Sequence, residues 1–188
     1  MKELLKSKIN SAINSFSKLG ESDLISDILT STNIIVKALK SKKKIIFCGN
    51  GGSAADSQHL SAELVGKFKK KRKALNSISL TTDTSAITSI GNDMGFDKVF
   101  SRQLEAIGEK GDVLFALTTS GKSANILNAL KVSKKKKIKI ILLSSKFAKK
   151  TKLCDVNLRP NANRVDRIQE LHIAIGHLIC EMIEKELT

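Results

Sequence analysis

The sequence has no tryptophan, no tyrosine and a single proline in 188 residues. With eleven glycines and 41% hydrophobic residues, this composition excludes a fibrous repeat and a Pro-rich disordered chain. The absence of Tyr and Trp also removes the aromatic side chains on which nucleic-acid bases most often stack. The length fits one globular domain with a substantial core, and we predict a single domain over residues 1–188.

Long apolar runs and paired cysteines are missing as well. No apolar stretch approaches the roughly 20 residues of a membrane span, so we expect no membrane partner. The start, MKELLKSKIN, has charge without a following apolar core and is not typical of a secretory signal. The cysteines Cys48, Cys154 and Cys180 are odd in number and lack metal-type spacing. This usage favours a reduced protein of the cytoplasm over a disulfide scaffold.

Acidic residues are too few to balance the bases, and the formal net charge is +15. Such a charge is compatible with nucleic acid, an anionic surface or small anionic substrates. The lysines are scattered in runs at residues 42–44, 69–73, 134–137 and 149–152, without a recognisable nucleic-acid module. We interpret the runs as mostly solvated surface that can steer anions, and we do not expect nucleic acid as a partner.

Hydrophobic periodicity indicates an α/β fold. Apolar residues recur at helical spacing over the first forty residues, with a break at Gly20. Short apolar strands then alternate with helices, which predicts a five-stranded parallel sheet with helices on both faces, preceded by N-terminal helices. The predicted strands cover residues 44–48, 75–82, 112–119, 138–145 and 156–160, and a long amphipathic helix closes the chain at about 163–186. Ligands of such sheets bind at the carboxyl ends of the strands.

The first strand ends in Gly49-Asn50-Gly51-Gly52-Ser53-Ala54. These residues match the dinucleotide fingerprint G-x-G-x-x-[GA], but the region about 20 residues on is basic where an acidic residue should hold the ribose. Two other interpretations are a tight turn with positive φ, and a bare loop that a ligand approaches, with Ser53 capping the next helix.

The third strand ends in TTSGKSAN, residues 118–125. The GKS is not a P-loop, because Ala116 stands where the first glycine is needed. Hydroxyls before a helix N-terminus form an anion site, with phosphate as the natural ligand. The hydroxyl residues are Thr118, Thr119, Ser120 and Ser123. The alternative is an ordinary hydroxyl N-cap.

Two helices carry groups able to do acid/base or metal chemistry. His59 and Glu63 are four residues apart and share one helix face, a spacing that also occurs often in plain surface pairs. On the last helix, at 100° per residue, Asp166 and His177 nearly eclipse, and Gln169 lies about 80° from His177. One site can therefore use these three, whereas His172 points about 140° away from His177 and is expected to face elsewhere.

Residues 89–103, SIGNDMGFDKVFSRQ, are rich in Gly, Asn and Asp. We predict a loop at Gly91 and Gly95. It is either a plain helix–helix turn or a segment whose Asn92 and Asp93 contact sugar hydroxyls.

Together these pieces resemble the sugar isomerase (SIS) domain family, and within it the isomerases of sedoheptulose 7-phosphate. The resemblance rests on CGNGGSAADSQHLSAEL, GNDMGFDKVFSRQ, GDVLFALTTSGKSAN and DRIQELHIAIGH, in the family's order and across essentially the whole chain. It implies a flavodoxin-like strand order and a homotetramer with active sites between subunits, with residues 1–40 packing on the domain and on neighbouring subunits. The implied reaction forms D-glycero-D-manno-heptose 7-phosphate, an early precursor of bacterial lipopolysaccharide or capsule heptose.

The resemblance also implies roles for individual residues. Glu63 and His177 would be the catalytic acid/base pair, with Glu63 moving the proton between C1 and C2 through an enediol(ate). The phosphate would be held by Thr118, Thr119, Ser120 and Ser123. The sugar would be lined by Asn50, Gly51, Gly52, Ser53, Asn92, Asp93, Asp166 and Gln169. One Zn²⁺ per subunit would be bound by His59, Glu63, Gln169 and His177, and the two demands on Glu63, base and ligand, compete.

Three other functions stay open at this point. Some relatives in this family bind the bacterial replication initiator without catalysis, and they are expected to lack Glu63 or His177. Another phosphosugar could be the substrate. A basic nucleic-acid-binding protein would show steeply salt-dependent binding.

Overall fold

The computed structural model describes residues 1–20 and 22–188, without the side chain of Ser22. Its described part holds seven α-helices, two short 3₁₀ turns and five strands. In chain order these are α1 Lys2–Ser17, a 3₁₀ turn Lys18–Gly20, α2 Ser22–Lys40, β1 Ile45–Gly49, α3 Gly52–Val65, β2 Ser77–Ser79, α4 Thr84–Met94, a 3₁₀ turn Phe96–Lys98, α5 Val99–Ile107, β3 Val113–Leu117, α6 Ala124–Lys135, β4 Lys139–Leu143, β5 Val156–Leu158 and α7 Val165–Leu187.

The five strands form one parallel sheet in the order β2-β1-β3-β4-β5. This is the flavodoxin-like order, so the predicted fold is confirmed. The central strands β1 and β3 are buried at every residue, as expected for a parallel sheet covered on both faces. The edge strand β2 is only three residues long, shorter than the predicted 75–82, because the chain turns at Thr81 towards α4.

Alternate strand residues feed two separate cores. Phe47 and Phe115 point to the face covered by α2, α3 and α7, and their rings lie 5.3 Å apart between centroids. Ile46 and Leu114 point to the opposite face, which α5 and α6 cover. Both faces of the sheet are therefore apolar, so polar groups that bind a ligand or act in catalysis are expected at the strand ends.

The first forty residues divide into two different helices. α2 supplies Leu24, Ile28 and Ile35 to the core against α7. None of the residues of α1, all of them described, is buried, and its apolar stripe is open to solvent. The stripe consists of Leu4, Leu5, Ile9, Ile13 and Phe16.

One predicted local feature differs in the structure. α4 starts after Asp83, whose carboxylate accepts the Ala86 N–H at 2.9 Å, and runs on to Met94. The predicted loop at residues 91–95 was therefore wrong: Gly91 lies inside α4, and only Gly95, at φ 95°, turns the chain.

No helix within residues 1–20 and 22–188 has the length and apolar character of a membrane span.

Candidate active site

The loops after β1 and β3 meet at the carboxyl edge of the sheet. These strands are neighbours, although β2 lies between them in the sequence, so this is the point where the strand order reverses. Open parallel sheets bind ligands in the crevice at such a point. The glycine loop and the hydroxyl loop predicted from the sequence therefore face one crevice.

The glycine loop is tightly packed against the start of α3. Gly51, at φ 55°, is the N-cap of α3, so the prediction that Ser53 caps the helix was wrong. Ser53 instead lies buried in the first turn, where its carbonyl accepts the Ser57 hydroxyl at 2.7 Å. A Cβ at Gly49 would come within 2.4 Å of the Ser53 carbonyl oxygen. Only glycine, which has no Cβ, fits at position 49 of this turn.

The hydroxyl loop leads directly into α6. The Thr118 hydroxyl accepts the Gly121 N–H at 3.2 Å, and the Ser120 hydroxyl accepts the Lys122 N–H at 3.2 Å. Ser123 is the N-cap of α6, yet its side chain makes no capping hydrogen bond within the described chain. The interpretation of these hydroxyls as a simple N-cap is therefore not supported, and the N-terminus of α6 is open to an anion.

A reciprocal pair of amides ties the two loops together. The Asn50 amide donates to the Asn125 side-chain oxygen at 2.9 Å, and the Asn125 amide donates back to Asn50 at 2.8 Å. The Asn125 oxygen also accepts the Ile126 N–H at 2.9 Å in the first turn of α6. No role was predicted for Asn125 from the sequence. The available clue was an asparagine at each of two strand-end loops, a residue type whose short amide bonds readily to nearby backbone.

Two histidines and a glutamate converge on the outer side of α3 and α7. His59 Nε2 lies 2.8 Å from His177 Nε2 and 3.2 Å from Glu63 Oε1. The ligand atoms of all three side chains lie within 4.8 Å of one another. The structure thus brings together three of the four predicted metal ligands and both predicted acid/base residues.

The close pairing of α3 and α7 makes this convergence possible. Gly176 faces Leu60, and a Cβ at Gly176 would come within 2.5 Å of the Leu60 Cδ2 atom. A glycine at this crossing allows His177 to reach across to His59. Burial lowers the pKa of His177, the charge of His59 lowers it further, and Glu63 opposes both. His177 is thereby favoured as a neutral imidazole near neutral pH.

Gln169 and Asp166 lie further towards the start of α7. The Gln169 amide is so close to Gly52 that a Cβ there would lie 2.5 Å from Nε2. Eight residues separate Gln169 from His177, about 12 Å along the helix. Asp166 pairs with Arg164 at 2.9 Å and Arg167 at 3.3 Å. The Arg164 hydrogen bond lowers the pKa of Asp166 to about 2. Within one chain, therefore, Asp166 and Gln169 lie on the same face of α7 as His177, but they are too far along the helix to join its cluster with His59 and Glu63.

His172 is fully buried and faces away from the cluster, as predicted. Its Nε2 lies 2.6 Å from the Ser144 carbonyl oxygen, which requires a proton on that nitrogen. Its Nδ1 has no hydrogen-bond partner among the described residues. Burial lowers the pKa of His172 to about 4.

Asn92 and Asp93 occupy the last turn of α4 instead of a loop. The Asn92 amide donates to the Asp93 carboxylate at 2.8 Å, and both side chains are exposed. Their predicted contact with sugar hydroxyls stays a prediction.

The structure therefore combines a doubly wound domain, a hydroxyl loop at its switch point and a His/Glu/His group on α3 and α7. A sequence profile of the SIS domain matches residues 9–145, and the chain belongs to this family.

Individual members of the family that are similar to this chain are phosphoheptose isomerases. The chain is 48% identical over 185 residues to a phosphoheptose isomerase of Nitratiruptor sp., covering 98% of this chain and 96% of that one. Among solved structures, phosphoheptose isomerase GmhA from Neisseria gonorrhoeae has a TM-score of 0.90 and 36% identity, covering 98% of both chains. A phosphoheptose isomerase from Francisella tularensis has a TM-score of 0.91 and 30% identity, covering 97% of both. The resemblance inferred from the four motifs is confirmed, and the relatives support the prediction of an aldose–ketose isomerase.

Proposed function

We propose that the chain is an aldose–ketose isomerase that converts sedoheptulose 7-phosphate to D-glycero-D-manno-heptose 7-phosphate. The observation that carries the proposal is the convergence of His59, Glu63 and His177 on α3 and α7. The phosphoheptose isomerases to which the chain is similar support the choice of substrate.

The crevice suits a phosphorylated sugar. Thr118, Thr119, Ser120 and Ser123 would hold the phosphate, since their hydroxyls lie before the N-terminus of α6, where the helix dipole favours a negative charge. The glycine loop, with Asn50 and Ser53, would lie along the sugar. Further sugar contacts are proposed for Gly51, Gly52, Asn92, Asp93, Asp166 and Gln169.

The chemistry requires a proton to move between adjacent carbons. Glu63 would take a proton from C1 of the ketose while the C2 oxygen gains one, giving an enediol. The return transfer places a proton on C2, and the C1 oxygen loses its proton to become the aldehyde. A neutral His177 can accept or donate the oxygen's proton, and each such acid/base group contributes about 10²–10⁴-fold. Its lowered pKa favours this form near neutral pH.

The donor set also fits zinc. Zinc bonds His nitrogen and carboxylate oxygen at about 2.0–2.2 Å, so tetrahedral ligand atoms lie somewhat over 3 Å apart. The three donor atoms here lie within 4.8 Å of one another, close to this requirement. His59, Glu63 and His177 would hold the ion, and Gln169, the proposed fourth ligand, would have to come from another copy of the chain. When bound, zinc supplies a Lewis acid that polarises the substrate carbonyl.

We further propose a homotetramer whose active sites lie between subunits. The exposed apolar stripe of α1 is the supporting observation, because a soluble chain rarely leaves five large apolar side chains of one helix in water. Other copies of the chain would cover it. The proposed setting is the cytoplasm, early in the synthesis of heptose for surface polysaccharide.

The test is turnover of sedoheptulose 7-phosphate by the purified protein, with and without a chelator. The matched variants are Glu63→Gln, His177→Gln and Glu181→Gln. Glu181 lies on α7 but pairs with Lys69 on the surface at 2.8 Å, so it controls for loss of a carboxylate. We expect loss of at least a hundredfold in the first two variants and little change in the third. Full turnover by Glu63→Gln would exclude it as the base. An inactive wild-type protein, even with zinc added, would shift the proposal to another phosphosugar or to initiator binding.

A further inference from the structure

Arg72 is a buried arginine inside a run that the sequence analysis interpreted as solvated lysines. Its side chain is 4% exposed. Its Nη2 donates to the Glu63 carbonyl at 2.7 Å and its Nη1 to the Leu64 carbonyl at 2.9 Å. The last carbonyls of a helix have no partner within the helix. α3 ends at Val65, so Arg72 supplies the missing donor to the Glu63 carbonyl and joins the Leu75 N–H at the Leu64 carbonyl.

Glu184 holds Arg72 and the loop that carries it. The Arg72 Nε donates to Glu184 at 2.9 Å, and the glutamate side chain is 3% exposed. Glu184 also accepts the backbone N–H groups of Phe68, Lys69 and Lys70 at 3.1, 2.9 and 3.1 Å. Burial alone would raise its pKa, but these N–H groups and the Arg72 charge hold the pKa below its usual value. Both oxygens of the Glu184 carboxylate therefore accept hydrogen bonds that hold the loop in place.

The Arg72–Glu184 ion pair is connected to both members of the proposed acid/base pair, Glu63 and His177. One of its bonds ends on the backbone of Glu63 itself. The loop that it fixes places the Phe68 ring against the His177 ring, with centroids 5.3 Å apart and planes inclined at 31°. Neither Arg72 nor Glu184 is exposed enough to contact a substrate, so any effect on catalysis must pass through Glu63 and His177.

We propose that Arg72 and Glu184 are positioning residues that set the placement of Glu63 and His177. The proposal rests on the proposed function. Acid/base catalysis tolerates errors of only about 0.5 Å in the placement of its groups. A helix end that frays and a Phe68 that leaves His177 would exceed that tolerance, while the phosphate crevice after β3 would be unaffected.

The experiment compares Arg72→Met with Lys44→Met. Lys44 forms a similarly buried pair with Asp112 at 2.8 Å, but at the amino ends of β1 and β3, away from the crevice. We expect Arg72→Met to lower kcat at least tenfold with KM changed less than threefold, and Lys44→Met to leave both near wild type. Arg72→Lys should recover only part of kcat, because the compact ammonium lacks the wide planar fork with which the guanidinium reaches Glu184 and two carbonyls at once. If Arg72→Met fails to fold, Glu184→Gln serves in its place.

A second measurement does not depend on turnover. The chain has three histidines, so their imidazole resonances can be assigned in the metal-free protein. In Arg72→Met the signals of His59 and His177 should move, while those of the buried His172 should stay. In Lys44→Met all three should stay. Unchanged His177 signals in Arg72→Met, or equal losses of kcat in both variants, would overturn the proposal. An inactive wild type would refute the proposed function, and the resonances would still decide whether Arg72 places His177.

Discussion

The buried His172 should make the fold sensitive to acid well above the pH at which carboxylates titrate. Its pKa is about 4 in the folded chain, against 6.5 for an ordinary histidine. Between these values the unfolded chain binds a proton that the folded chain cannot, so stability falls as the pH drops through this window. Each pKa unit corresponds to about 1.4 kcal/mol. The full loss is therefore about 3 kcal/mol, of which about 2 kcal/mol is reached at pH 5.

Urea unfolding at pH 7, 6 and 5, at one fixed protein concentration, measures this loss. The comparison variant is His172→Gln, which cannot titrate but retains a donor for the Ser144 carbonyl. Other groups titrate alike in both proteins, so the difference between the two pH profiles isolates His172. We expect the wild type to lose about 2 kcal/mol more than the variant between pH 7 and pH 5. Parallel profiles would refute the assignment of a buried neutral imidazole.

Three further outcomes are expected. Gly176→Ala should destabilise the fold by about 1–3 kcal/mol in urea unfolding, because its Cβ would press on Leu60; a neutral effect would mean that the two helices are free to separate. Ile9→Glu should reduce the oligomer mass measured by light scattering, whereas Ser7→Glu, off the apolar stripe of α1, should not; equal masses in all three proteins would leave the stripe without a partner copy. Ser120→Ala should raise KM for the phosphosugar about tenfold with little change in kcat, since a hydrogen bond to a charged group is worth about 1.5–3 kcal/mol. A fall in kcat alone would place Ser120 away from the phosphate.

Much of the fold could be predicted because the strands are continuous apolar runs between helical periods. β1 and β3 were located to within about two residues, and the order of the sheet followed from the resemblance. The extent of α4 was not predictable in the same way. Gly91 reads locally as a helix breaker, but its helix packs near Val99, so tertiary contact overrides the local preference.

The site was only partly predictable for a similar reason. His59 and Glu63 were visible as a spaced pair, and helical geometry separated His172 from His177. The axial distance along α7 was harder to use, because an angular projection hides that Gln169 and His177 lie about 12 Å apart. Arg72 lay hidden in a lysine run, since its burial depends on Glu184, more than a hundred residues away.

The amide pair between Asn50 and Asn125 makes the glycine loop and the hydroxyl loop one mechanical unit. A ligand that binds only at the hydroxyl loop would thereby also stiffen the glycine loop, along which the sugar is proposed to lie. Inorganic phosphate, whose proposed site is at the N-terminus of α6, should then slow hydrogen exchange in the first turn of α3. Part of the affinity for the phosphate would in this way be converted into order in the loop that lines the rest of the sugar.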